Sequence, residues 1–309
     1  MSAGTSGPAA TGRPGPAASP SGTATAAPGT RAPRGAARYL AWLYSEPLPR
    51  AVLGLLFALE EEIGAALRPG VDHGVAHARM QWWQQECERT AAGTAVHPLT
   101  RALLALRPRG APAPDLTGLA RAALWDLAAA TFETRSELAA YCGQWARALT
   151  GLAAAWSAPP GMDAARSRQF GERLGASLRE LELLEHLHLD ARAGRLRLPL
   201  AELEPAGVDS AALSRPPWPE PLAVLLRARQ RALRRELQDC TAALTGQEQA
   251  TLRGLLVWAQ YAHRCSRQAE RALPDPASPR RTGALGAAWQ AWRGARGAAR
   301  GRFRLEERA

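Results

Sequence analysis

Within one leucine-rich stretch, residues 175–199 (GASLRELELLEHLHLDARAGRLRLP), Glu182, His186 and Asp190 recur at four-residue steps. On a single α-helix that spacing predicts one polar strip, continued by Leu174 and Leu178 and flanked by Leu181 and Leu189. The carboxylates suit a hard cation such as Mg²⁺, whereas the imidazole suits Zn²⁺, Ni²⁺ or Cu²⁺. A His four residues before an Asp is also a common solvated or internally bonded pair. A second acidic run, Glu60–Glu62, offers Glu61 and Glu62 as metal candidates. Three consecutive helical residues point in different directions and cannot all converge on one ion, so one buried, paired Glu is the competing reading. His73 and His77 have ligand-like spacing but lack the Glu of a HExxH motif. Tyr141 and Cys142 fit either packing with a tyrosine hydrogen bond or a pocket role. There is no GxSxG motif, and Cys87, Cys142, Cys240 and Cys265 form no CxxC pair, so a serine hydrolase, a zinc ribbon and a disulfide framework are unsupported.

The elements that must position these groups are helical. Helical spacing, with Pro, Gly and capping residues as punctuation, predicts helices over residues 36–44, 49–67, 72–92, 97–106, 116–130 and 136–155. Further helices are expected over 163–189, 222–244, 247–273 and 281–297. Ser136, with Glu137 behind it, is the expected cap of the sixth. Residues 1–37 are Pro/Gly/Ala/Ser/Thr-rich with almost no large apolar side chain, which predicts a disordered tail; their Arg-containing, acid-free composition also suits an organellar transit peptide. The expected division is this tail, a helical domain over 38–297 and a charged C-terminal tail over 298–309.

The chain has 309 residues, is 46% hydrophobic and carries a net charge of +11, with every one of its 39 basic residues an arginine. The charge is uneven: residues 1–38 hold +4 and residues 271–309 hold +6, leaving the body at +1. Arginine tails can touch anionic membranes, but no basic helix interleaved with aromatics marks a nucleic-acid module. The longest clean apolar run, residues 51–59, is about half a membrane span. No secretory segment follows Met1, so the expected location is cytoplasmic and membrane-peripheral.

Four stretches, in order, resemble the squalene/phytoene synthase family. They are PRAVLGLLFALEEEI over 49–63, RMQWWQQE over 79–86 with Gly93 and His97–Pro98 behind it, the Tyr141–Cys142 helix, and the 175–199 stretch ending in DARAGRLRLP. The resemblance implies an all-α, isoprenoid-synthase-like helical bundle around a central apolar cavity. It also implies two acidic motifs on facing helices that hold Mg²⁺ against an isoprenyl diphosphate, since a leaving diphosphate needs its charge neutralised. Aligned on Phe57, the three aspartates of the first motif fall at Glu62, Ile63 and Ala66. In the second, His186 stands for the first aspartate and Asp190 for the second, Glu182 and Glu185 replace the usual Asn and Arg, and Arg197 replaces a tyrosine. Arg50, Arg192 and Arg195 match positions near the diphosphate, and Tyr141 matches a functional tyrosine of the family.

This pattern implies a degenerate member, similar to the branch that includes a complex I assembly factor. Its expected role is non-catalytic binding of an isoprenoid or other apolar lipid, or of a protein partner, with no cofactor, no nucleic acid and peripheral membrane contact. The alternative is an active prenyl transferase that condenses two allylic diphosphates with Mg²⁺ held by Glu61, Glu62, Glu182 and Asp190, with Tyr141 and Asp190 as catalytic candidates.

Overall fold

Leucine and alanine at helical spacing build an all-α structure, here a computed structural model describing residues 32–33, 35–68, 70–158, 161–276 and 284–305. The first helices are α1 (Ala36–Tyr44), α2 (Pro47–Gly64), α3 (His73–Ala91), α4 (Pro98–Ala105) and α5 (Thr117–Leu127). Next come α6 (Arg135–Ala146) and α7 (Leu152–Trp156), joined by one π-helical turn, and α8 (Ala164–Glu185). They are followed by α9 (Leu187–Arg192), α10 (Leu200–Leu203), α11 (Glu220–Ala242), α12 (Gly246–Thr251), α13 (Arg253–Ala272) and α14 (Ala284–Ala299). No strand occurs among the described residues.

The central member is α8, which packs on α6, α7, α11 and α13. Glycines set its closest approach: a Cβ on Gly175 would fall 1.8 Å from Thr150 Oγ1, and one on Gly171 would fall 2.3 Å from the Thr150 carbonyl oxygen. Both distances are far inside van der Waals contact, so only glycine lets α8 lie this close to the α6–α7 segment. Glu180, buried on α8, is clasped by Arg135 of α6 at 2.5 and 2.6 Å and by Arg229 of α11, which fixes the rotation of α8. At the centre, where the resemblance implies an apolar cavity, Phe57 and Trp258 meet edge to face with centroids 5.4 Å apart, and Trp145 meets Trp258 at 6.2 Å.

Several boundaries differ from the sequence expectation, each for a local reason. The expected helix over 163–189 ends at Glu185: His186 has φ −102° and ψ 9°, and a separate short helix starts at Leu187. Glu182 and Asp190 therefore lie on two helices and do not form one strip. The cap of α6 is Thr134, which forms a reciprocal capping box with Glu137, so that helix starts one residue earlier than Ser136. The helix expected over 247–273 is interrupted at Leu252. At the C-terminal end, Phe303 is buried and its N–H donates to Gln249 Oε1 at 2.8 Å, so residues 300–305 dock against the bundle. The expected disorder of residues 1–37 falls, apart from 32–33 and 35–37, outside the described residues, as do residues 306–309. No helix among the described residues is long and apolar enough to cross a membrane.

Candidate functional site

Between α1, α2, α6 and α8 the polar groups form one continuous network of ion pairs. Arg38 of α1 donates to Glu60 at 2.6 and 3.2 Å and to Glu182 at 3.1 and 3.4 Å, bridging α2 and α8. Arg179, one turn before Glu182, lies 3.3 Å from Glu182 and 3.8 Å from Glu60. The Trp145 indole N–H donates to Glu60 at 2.9 Å. Two guanidiniums thus sit between the two carboxylates of the facing helices.

The network continues through Tyr141. Arg179 donates to the Tyr141 hydroxyl at 2.9 Å, and that hydroxyl donates to Asp126 of α5 at 3.2 Å. Asp126 also accepts from Arg197 at 2.7 Å, and Arg197 reaches Asp190 at 3.2 Å. Asp190 is closed by Arg195 at 2.7 Å. Four carboxylates (Glu60, Glu182, Asp126, Asp190) are matched by four guanidiniums (Arg38, Arg179, Arg195, Arg197). Rings cover the guanidinium faces: Arg179 lies 5.3 Å from the Trp145 centroid and Arg38 lies 5.6 Å from that of Phe57.

These contacts fix the protonation states. Burial pushes the Glu182 carboxyl up, but Arg38 and Arg179 outweigh it and hold the pKa below the ordinary value. For Arg179, burial opposes the charged form, yet Tyr141, Glu182 and Glu60 raise its pKa well above the ordinary arginine value. The Tyr141 phenol is raised, chiefly by burial and further by Asp126, so it is neutral at physiological pH and acts here as a hydrogen-bonding bridge. Burial also pushes the Cys142 and Cys87 thiols up to about 12, which removes them as nucleophiles.

The residues expected from sequence are distributed unevenly over this network. Glu182, Asp190, Tyr141 and Arg195 are in it. Glu61 and Glu62 are exposed, and the member of the acidic run that points inward is Glu60, which continues the buried ridge of Leu53 and Phe57. His186 is exposed and its Nδ1 lies 3.0 Å from the Glu182 carbonyl oxygen, a local turn contact. Arg50 donates to the carbonyls of Leu43 and Ser45 at 2.8 and 2.9 Å, clasping the α1–α2 turn. Arg192 is exposed and donates to the Ser214 carbonyl at 3.0 Å. His73 and His77 face each other at 3.0 Å on the exposed start of α3. Among the described residues no three His, Cys, Asp or Glu side chains converge as a metal site.

Sequence reasoning passed over Arg38, Asp126 and Arg179, and left open which Glu of the 60–62 run is the inward, paired one, which is Glu60. For Glu60 and Asp126 a signal existed, since each stands at a core position of an otherwise apolar helix face. Arg179 carried the i,i+3 pairing to Glu182. Arg38 carried no signal, because its partners lie 22 and 144 residues away.

The squalene/phytoene synthase family model matches residues 35–293. The chain belongs to the squalene/phytoene synthase family. No curated protein matches it. Among solved structures it is similar to a dehydrosqualene synthase determined in complex with a ligand, at 14% identity and a TM-score of 0.69, covering 84% of this chain and 90% of that one. It is also similar to the squalene synthase HpnC from Alicyclobacillus acidocaldarius, at 18% identity and a TM-score of 0.61, covering 78% of this chain and 89% of that one. At these identities the likeness establishes the fold alone.

The Trp-Trp, acid, Gly, His-Pro pattern that carries much of the family resemblance has a structural cause in this chain. Glu86, fully buried, accepts from the backbone N–H groups of Val96 and His97 at 2.9 and 2.8 Å and from the Thr100 hydroxyl at 2.5 Å. Gly93, at φ +79°, turns the chain back toward it, and the His97 ring packs 4.9 Å from Trp83. The pattern is a clasp joining α3 to the start of α4, and it involves no member of the ion-pair network.

Proposed function

We propose that this chain is a non-catalytic member of the squalene/phytoene synthase family that serves as a binding or assembly protein. The observation that carries the reading is the position of Arg38 and Arg179 between Glu60 and Glu182. A magnesium cluster needs carboxylate oxygens with uncompensated negative charge, and here each of the four inward carboxylates, Glu60, Glu182, Asp126 and Asp190, is already neutralised by a guanidinium. Freeing Glu60 or Glu182 for a metal would break its contacts to both Arg38 and Arg179, at a cost of about 1.5–3 kcal/mol for each charged hydrogen bond lost. The donor set therefore does not fit Mg²⁺. Glu61 and Glu62, which the prenyl transferase alternative requires, are exposed on the outer side of α2.

The likeness of the sequence pattern to the complex I assembly factor branch agrees with an assembly role. An apolar isoprenoid or lipid ligand is a second reading, favoured by the rings of Phe57, Trp145 and Trp258, which would supply an apolar wall, and by a neighbour determined with a ligand bound. Purified protein incubated with farnesyl or geranylgeranyl diphosphate and Mg²⁺ tests the main reading: diphosphate release should stay at the protein-free blank. Release that disappears in Asp190→Ala would overturn it. Stoichiometric apolar lipid in an organic extract of the native protein would support the second reading.

A further inference from the structure

The last helix is built inside out. The residues of α14 that are buried are its small ones: Ala291 and Ala295 pack on Leu40 of α1 and Val257 of α13, and Ala298 is fully covered. A Cβ on Gly294 would fall 1.7 Å from Gln260 Oε1, so the Gln260 side chain packs directly on the helix backbone there. The large apolar residues lie on the other side, with Leu285 88% exposed, Trp289 58% and Trp292 40%. At positions i, i+4 and i+7 they form one stripe. The two indoles stack on each other with centroids 4.9 Å apart, and the Arg296 guanidinium lies 5.2 Å from the Trp292 centroid. An ordinary surface helix does the reverse, burying its large apolar residues and exposing its small and polar ones.

Among the described residues, the side-chain charge lining the clefts beside this stripe is of one sign. A cavity of about 510 Å³ between α13, α14 and residues 302–305 is lined by Arg264, Arg267, Arg271, Arg293, Arg302 and Arg304, with no acidic residue among the described lining. Arg293 and Arg302 also border the tryptophan pair, together with Arg296 and Arg300. The sequence concentrates +6 of the net charge in residues 271–309, against +1 for residues 39–270.

We infer that this end of the bundle is a docking face for the surface of an anionic phospholipid bilayer. The helix α14 lies in the plane of the interface, with Leu285, Trp289 and Trp292 entering the boundary between headgroups and acyl chains. Arg293, Arg296 and Arg300 at the rim face the lipid phosphates. An amphipathic helix with Trp and Leu on one side and arginines beside them has the composition that binds such interfaces. Nucleic acid fits less well: the indoles are stacked on each other, which leaves no slot between them for a base, and the most exposed residue, Leu285, has no aromatic face to offer.

Flotation of the full-length protein with vesicles tests the inference. Binding is expected to vesicles of phosphatidylcholine mixed with phosphatidylglycerol, not to phosphatidylcholine alone, and should weaken with added salt. Trp289→Ser combined with Trp292→Ser should weaken binding at least about tenfold. Arg293→Gln and Arg296→Gln should each weaken it roughly fivefold. All four side chains are exposed, so each variant should keep the wild-type thermal midpoint, which shows that the loss is one of docking and not of folding. The inference is overturned by any of three results: no flotation with the phosphatidylglycerol vesicles, equal flotation of wild type and the double tryptophan variant, or tighter binding to a single-stranded oligonucleotide than to the vesicles.

Discussion

Replacing Glu60 by Gln removes one charge from the ion-pair network while keeping its shape. Glu60 accepts two hydrogen bonds from Arg38, at 2.6 and 3.2 Å, and one from the Trp145 indole at 2.9 Å. The glutamine oxygen can keep the indole bond, so the loss falls on Arg38 and, through the 3.8 Å contact, on Arg179. Hydrogen bonds to charged groups are worth about 1.5–3 kcal/mol each. The pair is partly screened, with side chains 22% and 16% exposed, and Glu182 still holds both arginines. The expected cost is therefore about 3 kcal/mol, below the simple sum. For a chain of this size that is a fall of about 6–12 °C in thermal midpoint, measurable by far-UV circular dichroism. Glu62→Gln, on the exposed side of the same turn, should stay within about 0.5 kcal/mol of wild type. A double-mutant cycle of Glu60→Gln with Arg38→Met should show a coupling of about 1–3 kcal/mol. A Glu60→Gln cost below about 1 kcal/mol, or one equal to that of Glu62→Gln, would mean an ordinary surface pair and would refute the reasoning.

Further perturbations probe the clasp, the acid response and the packing of α8. Burial raises the Glu86 pKa, but the Thr100 hydroxyl, the His97 N–H and Arg89 outweigh it and hold the carboxyl below its ordinary value; Glu182 is depressed in the same sense by Arg38 and Arg179. In the unfolded chain both titrate near pH ~4.3, so the unfolded state binds more protons below that pH. Their stabilisation is complete above the unfolded value and is lost as pH falls toward the folded ones. Urea midpoints of wild type should therefore drop steeply with acid in that window, and Glu86→Gln should show a flatter acid slope on a lower plateau. Gly175→Ala should cost about 1–3 kcal/mol by overpacking, and Thr150→Ala should recover part of it by removing the hydroxyl 1.8 Å from the new methyl. Gly171→Ala meets a backbone oxygen, and Thr150→Ala should not rescue it.

The fold was legible because its helices announce themselves locally. Alanine and leucine at helical spacing, stopped by Pro and Gly, located α1 through α8 and α11 through α14 to within a few residues, with α6 and α7 and likewise α12 and α13 read as one helix each. The break at His186 was not legible, since nothing in LLEHLHLD forbids a continuous helix; it comes from tertiary placement, with Asp190 drawn to Arg195 and Arg197 instead of following Glu182. At the site, the acidic run and the family alignment together drew attention to Glu61 and Glu62, but the residue that faces inward is the one in register with Leu53 and Phe57. Helical phase alone would have selected Glu60. The role of Arg38 could not be read locally, because an arginine 144 residues from Glu182 becomes its partner only once α1 packs against α2 and α8.

Occupancy of the centre by arginine instead of metal can be tested by counting free Mn²⁺, a paramagnetic stand-in for Mg²⁺, by electron paramagnetic resonance as protein is added in the presence of farnesyl diphosphate. With Glu60 and Glu182 already neutralised by Arg38 and Arg179, the free-ion signal should fall only by what the diphosphate itself chelates, in wild type and in Glu182→Gln alike. A protein-dependent loss of signal in wild type that is abolished in Glu182→Gln or Asp190→Ala would show a functioning metal site and contradict the account.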